Sequence, residues 1–86
     1  MRNTKITKSG NETTVTFYNT DIVSFDIETI TLDSGGHRTA STKKRLNETS
    51  VRFNLGYKVY TEKGYWLVEY DNSVSTFKDG MILPRI

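Results

Sequence analysis

The sequence predicts an α+β domain in which one short α-helix packs on an antiparallel β-sheet, and three observations support this. Apolar and polar residues alternate over residues 12–18 and again over 22–27, which is typical of strands with one buried face. Only residues 42–53 space their apolar positions as one face of a helix. Three short aromatic runs follow, separated by turn residues. With 86 residues the chain is too short for two cores, so residues 1–86 are expected to form a single domain.

The N-terminal third predicts a hairpin and a further strand. The turn signal at Ser9-Gly10-Asn11 joins residues 5–8 to the alternating stretch 12–18. In residues 22–27, one face carries Val23, Phe25 and Ile27. Ile30 and Leu32 then continue in the opposite phase. The slip near Glu28-Thr29 therefore predicts a bulge or a break between two strands.

The helix is predicted to begin after Ser41 as the N-cap and to end at Asn54 or Gly56. Its buried face is expected to carry Leu46, Ser50 and Phe53. Lys43, Lys44 and Arg45 occupy its first turn, where positive charge opposes the helix macrodipole. Intrinsic helix preference therefore does not account for this charge placement.

The C-terminal third predicts a meander of strands at residues 57–61, 65–70 and 74–78. Both faces of the middle strand are apolar or aromatic, so we expect it to lie centrally in the sheet. A short final strand at residues 81–83 precedes Pro84, which favours a position at a sheet edge.

Charge is segregated along the chain although the formal net charge is only +2. An acidic stretch carries Asp21, Asp26, Glu28 and Asp33. The basic stretch that follows carries Arg38, Lys43, Lys44, Arg45 and Arg52. The basic helix start has two interpretations: it binds phosphate groups, or it is a solvated surface that pairs with the acidic stretch.

The ten aromatic residues also have more than one interpretation. Tyr60, Trp66 and Tyr70, with lysines interleaved, are compatible with a base-stacking platform for single-stranded nucleic acid. The same rings are compatible with the core of a domain that is short of aliphatic residues. A third interpretation is that the rings form core on one face of the sheet and an interaction surface on the other.

No catalytic or cofactor-binding pattern is found in the sequence. The single histidine, His37, has Asp33 and Ser34 nearby, but the spacing matches no nucleophile turn. The acidic residues follow no calcium-loop spacing. The chain has no cysteine and no stretch of membrane-spanning length. We therefore expect a non-enzymatic protein without cofactor, metal or membrane contact, located in a reducing cytoplasm.

Three segments carry a family resemblance. They are Ile30–Leu32 leading into Thr39-Ala40-Ser41-Thr42-Lys43-Lys44-Arg45-Leu46-Asn47, then Tyr57-Lys58-Val59-Tyr60, then Phe77-Lys78-Asp79-Gly80-Met81. Together with Trp66, they resemble a group of small bacteriophage proteins over roughly residues 28–84. The resemblance implies a phage origin and action in the host cytoplasm, and it supplies no activity.

These observations favour a small phage protein that binds a host macromolecule, most plausibly a host protein, and modulates or blocks it. The candidate binding surface comprises Arg38, Lys43, Lys44, Arg45, Tyr60, Trp66 and Tyr70. One alternative is a nucleic-acid-binding protein that uses the basic helix start. A second alternative is a structural or self-assembling phage protein. Exposed sheet edges in so short a chain also predict a homodimer.

Overall fold

Four strands, one helix and four further strands follow one another along residues 2–86, the part of the chain that the computed structural model describes. Their bounds are β1 (Thr4–Ser9), β2 (Glu12–Phe17), β3 (Thr20–Phe25), β4 (Thr29–Leu32), α1 (Ala40–Arg52), β5 (Tyr57–Glu62), β6 (Tyr65–Tyr70), β7 (Ser73–Thr76) and β8 (Met81–Pro84). The larger sheet has the antiparallel order β1-β2-β3-β4-β8, and the smaller sheet has the antiparallel order β5-β6-β7. The α+β class is therefore confirmed, with the strands divided between two sheets.

The N-terminal hairpin is confirmed, and so is the predicted break between two strands near Glu28-Thr29. The chain breaks between β3 and β4 in a turn, where the Asp26 carboxylate accepts hydrogen bonds from the backbone N–H groups of Glu28 and Thr29. A separate bulge lies in the β2–β3 pair, where the register shifts and leaves Ile22 as an extra residue. Ile27 was expected on the buried face, but it lies in the turn and is 74% exposed.

The helix begins two residues earlier than predicted because its N-cap is Thr39 rather than Ser41. The Thr39 hydroxyl accepts a hydrogen bond from the Thr42 backbone N–H at 3.2 Å. Asn54, at φ 54°, lies just past the end of the helix and confirms one of the two predicted stop signals. The face of the helix that is turned inward carries Thr42, Leu46, Thr49 and Ser50.

Helix α1 covers the outer edge of β5 through side-chain hydrogen bonds. The Asn47 amide both donates to the Val59 carbonyl and accepts from the Val59 N–H, each at 2.8 Å. Ser50 Oγ likewise donates to the Tyr57 carbonyl at 2.7 Å and accepts from the Tyr57 N–H at 3.0 Å. Two polar side chains of the helix thus take the place of a neighbouring strand.

The two sheets and the helix share one connected core. It comprises Val15, Phe17, Ile22, Val23, Ile30, Leu32, Leu46, Leu55, Tyr57, Val59, Trp66, Val68, Phe77 and Leu83. Within this core Tyr57 donates its hydroxyl to the Leu46 carbonyl at 2.6 Å, and burial raises the pKa of the tyrosine. The predicted central position of β6 and the predicted edge position of β8 are both confirmed.

Candidate interaction surfaces

Arg38 lies in a hydrogen-bonded network that joins the loop after β4 to the turn after β7. Asp79 Oδ1 accepts hydrogen bonds from the Ser34 hydroxyl at 2.6 Å and from the Ser34 N–H at 2.8 Å. Arg38 Nε donates to Ser34 Oγ at 3.0 Å, and Arg38 Nη2 lies 3.8 Å from Asp79 Oδ1. Burial alone would raise the pKa of Asp79, but the bonds from Ser34 and the charge of Arg38 lower it overall.

The guanidinium of Arg38 also lies over two core rings. Its Cζ is 4.7 Å from the centre of Phe77 and 5.4 Å from the centre of Trp66. The two rings meet edge to face with their centres 5.3 Å apart. The helix start, the tryptophan and the segment Phe77–Met81, which carry the resemblance in the sequence, therefore meet at one place in the fold.

Two of the other three basic residues of the candidate surface are engaged within the molecule. Lys43 Nζ donates to Thr61 Oγ1 at 2.8 Å. Arg45 pairs with Glu48 at 2.6 Å, and its guanidinium lies 5.4 Å from the centre of the Phe17 ring. Lys44 is exposed on the outer side of the helix. Neither ion pair found within residues 2–86 involves the acidic stretch that was considered as a partner.

A cleft of about 460 Å³ lies between the β2–β3 turn, the loop after β4 and the start of α1. Its walls include Tyr18, Asn19, Ser34, His37 and several threonines. His37 does not form a triad with Ser34, because the hydroxyl of Ser34 is already bonded to Asp79 and Arg38.

The outward side of the smaller sheet carries a group of apolar and aromatic side chains among charged ones. We call it the tyrosine face and define it by Tyr60, Tyr65, Leu67 and Val74. The register places Tyr60 opposite Leu67, with Tyr65 two residues away on the same strand. Tyr65 is 70% exposed and Val74 is 56% exposed, while Tyr60 and Leu67 are half-buried.

The three aromatic residues of the candidate surface do not lie on the same side of the smaller sheet. Tyr60 belongs to it. Trp66 points inward and is only 9% exposed, so its ring is not free to stack on a nucleobase. Tyr70 is half-buried on the same inner side and donates its hydroxyl to the Pro84 carbonyl at 2.7 Å. The candidate set omitted Tyr65, although the alternation of β6 had already placed Tyr65 and Leu67 on the face opposite Trp66.

The outward side of the larger sheet has a different chemistry. Thr7, Thr14, Ser24 and Thr31 are successive cross-strand partners and form a row that we call the hydroxyl row. The Thr14 and Ser24 hydroxyls lie 3.3 Å apart within hydrogen-bond distance. The row ends at Ile82 on the edge strand β8.

Residues 2–86 contain no group of three histidine or acidic side chains arranged to hold a metal ion. No helix in the same range has the length and apolar character needed to cross a membrane.

Comparison with known proteins gives one family. The model of the Kyanoviridae Gp96 protein family, a family of phage proteins, matches residues 1–84. No curated protein and no solved structure matches the chain.

Proposed function

Because the chain belongs to the Kyanoviridae Gp96 protein family, and is therefore a small phage protein, we propose that it acts by binding a host protein without catalysing a reaction. The tyrosine face is the contact surface in this proposal. Binding there modulates or blocks the host protein in the cytoplasm of the infected cell.

The observation that carries the proposal is the exposure of the tyrosine face. A small domain has few apolar residues and gains stability by burying them. This chain nevertheless leaves Tyr65 70% exposed and Val74 56% exposed, beside Tyr60 and Leu67. Contiguous apolar side chains at a protein surface mark interaction sites, and tyrosine is enriched in protein interfaces.

The charges around the tyrosine face indicate the chemistry of the partner. Lys58 and Glu69 are opposite one another on the outward side, and Glu62 is opposite Tyr65. Opposite charges on neighbouring positions leave no strong field of one sign. The face therefore suits an apolar patch with a polar rim on a folded protein rather than a polyanion.

The basic helix start supports this choice. A nucleic-acid site needs lysine and arginine side chains that are free to reach phosphates. Within residues 2–86, Arg38, Lys43 and Arg45 instead bond to groups of the chain itself, and Lys44 is the basic residue of the predicted set for which no such bond is found. We therefore expect weak nucleic-acid binding that contributes little to function.

The proposal is tested by affinity capture from a lysate of the host bacterium with two variants compared. Tyr65→Ser combined with Val74→Ser removes the two most exposed apolar side chains of the tyrosine face, and Ile82→Ser removes a comparably exposed apolar side chain from the larger sheet. We expect wild type and Ile82→Ser to retain the same host protein, and the double variant to lose at least nine tenths of it.

Retention of the same host protein by the double variant would contradict the proposal. Loss with both variants would also contradict it, because the contact would then not be specific to the tyrosine face. Far-ultraviolet circular dichroism of each variant serves as the control that the sheets are intact.

A further inference from the structure

Strand β7 forms an open edge of the smaller sheet. Its residues, Ser73–Thr76, are all exposed, and the strand pairs only with β6. The strand has no charged residue and no proline. Uncovered and uncharged edges are templates for pairing with another strand.

The other three edges within residues 2–86 are protected. Helix α1 covers β5 through Asn47 and Ser50. Strand β1 carries Lys5 and Lys8, and lysine on an edge strand discourages pairing. Strand β8 ends in Pro84, which has no N–H to donate.

The ladder with β6 determines which backbone groups of β7 are free. Phe77 donates its N–H to the Trp66 carbonyl at 2.9 Å, so Phe77 bonds towards β6. Because bonding direction alternates along an antiparallel strand, Ser73 and Ser75 also bond towards β6. The N–H and C=O groups of Val74 and Thr76 therefore point away from the sheet.

We infer that β7 pairs antiparallel with β7 of a second copy of this chain. The free N–H and C=O groups belong to Val74 and Thr76. In two copies related by a two-fold axis, the backbone of Val74 therefore bonds to the backbone of either Val74 or Thr76 in the other copy. In either register, the exposed Val74 side chain of one copy lies opposite Val74 or Thr76 of the other, so β-branched side chains pair across the new ladder. The uncharged strand therefore matches itself, which favours a second copy as the occupant.

The pairing closes at two copies. It forms a continuous six-stranded sheet, β5-β6-β7-β7-β6-β5, whose two outer edges are both covered by an α1 helix. No smaller-sheet edge remains for a third copy, so the product is a dimer and not a fibre. The two tyrosine faces then lie side by side on one surface. Dimerisation through β7 does not depend on a host partner, so either proposal can fail without the other.

Amide hydrogen exchange of the wild-type protein tests the pairing directly. The backbone amides of Val74 and Thr76 are expected to exchange at least tenfold more slowly at high protein concentration than at low concentration. Those of Ser73 and Ser75 bond to β6 in both states, so they change less and serve as the internal control. Concentration-independent exchange at Val74 and Thr76 would overturn the inference, even if the protein associates by another surface.

Sedimentation equilibrium with two proline variants gives a second test. Val74→Pro removes an outward N–H from β7, whereas Lys8→Pro removes an outward N–H from the exposed edge strand β1. Wild type and Lys8→Pro are expected to approach twice the chain mass of 9.9 kDa, while Val74→Pro stays at 9.9 kDa. A wild type that remains monomeric at its highest soluble concentration, or a folded Val74→Pro that still dimerises, would refute the pairing. If Val74→Pro does not fold, the exchange measurement decides.

Discussion

The outward sides of the two sheets follow the same alternating pattern but differ in chemistry. On the larger sheet, the hydroxyl row places threonine and serine in neighbouring cross-strand positions. On the smaller sheet, the tyrosine face places Tyr60 opposite Leu67, while Tyr65 and Val74 on the same side each lie opposite a glutamate. Hydroxyl groups keep their hydrogen bonds to water at a surface, whereas exposed apolar groups gain free energy only when something covers them.

This difference supports the proposal that the smaller sheet, and not the larger one, contacts a partner. The inner sides of both contribute to one core, so neither sheet needs its outward side for folding. The larger sheet can remain solvated. The smaller sheet presents an apolar surface and an open edge, which makes it the side of the molecule suited to contact.

The largest expected effect comes from Leu46→Ala in the shared core. Leu46 lies on the inward face of α1 and is fully buried. Truncation of such a residue lowers the free energy of unfolding by about 2–5 kcal/mol. Because the core is continuous, both sheets should unfold together. Urea denaturation followed by Trp66 fluorescence and by circular dichroism checks this. The two probes should give the same midpoint, and that midpoint should be lower than the midpoint of the wild type. Two separate transitions would show that the sheets are independent units and would break the comparison.

A smaller loss is expected from Gly35→Ala in the loop that carries Ser34. Gly35 has φ +64°, and an added Cβ would lie 2.5 Å from Thr20 Oγ1. Overpacking of this kind costs about 1–3 kcal/mol in addition to the backbone strain. Gly36→Ala is the matched control, since Gly36 also has positive φ but open space at its Cβ position. Thermal melts should rank Gly35→Ala below Gly36→Ala, and equal losses would show that the contact with Thr20 is unimportant.

The hydrogen bonds accepted by the Asp79 and Asp26 carboxylates should weaken at acid pH. The pKa values of Asp79 and Asp26 are lowered in the folded protein, so their stabilisation is present above the unfolded value of 3.8 and is lost as the pH falls through the folded values. Asp79→Asn should cost about 1 kcal/mol at pH 7, since its partially exposed bonds are screened by solvent.

Denaturation at pH 7 and at acid pH measures this effect. The difference between wild type and Asp79→Asn should shrink as the pH falls. Asp71→Asn, in an exposed turn, is the control and should leave the unfolding free energy nearly unchanged. A difference that is independent of pH would show that the charge of Asp79 is not what stabilises its contacts with Ser34 and Arg38.

The smallest effect on stability is expected at the tyrosine face itself. Tyr65→Ser should change the free energy of unfolding by less than about 0.5 kcal/mol because the ring is mostly exposed. The same substitution should shorten retention on a hydrophobic interaction column more than Ile82→Ser does, since Leu67 lies two residues from Tyr65 on the same face of β6, whereas Ile82 lies opposite Thr31. Equal shifts would remove the distinction between the two faces.

Local signals in the sequence were sufficient for most elements of the fold. Turn residues and alternation located the hairpin and the meander, and the helix followed from the spacing of Leu46 and Ser50. The cap was misplaced because Thr39 and Ser41 offer the same hydroxyl chemistry two residues apart. The pairing of β8 with β4 depends on contacts between residues far apart in the chain, which no local pattern records.

The candidate surface was only partly accessible to sequence reasoning. Alternation showed that Tyr65 and Trp66 lie on opposite sides of β6, but both sides are apolar, so the pattern does not indicate which one is buried. The choice depends on where α1 and the larger sheet pack. Likewise, nothing in the sequence shows that Arg38 contacts both Ser34 and Asp79, which lie 45 residues apart in the chain.

The most direct test of the tyrosine face as the contact surface is site-specific photo-crosslinking in infected host cells. A photoreactive phenylalanine analogue replaces Tyr65 in one variant and Thr14, in the hydroxyl row, in another. The Tyr65 position should crosslink to one host protein after illumination, and the Thr14 position should give no specific product. A specific host crosslink from Thr14 with none from Tyr65 would contradict the account.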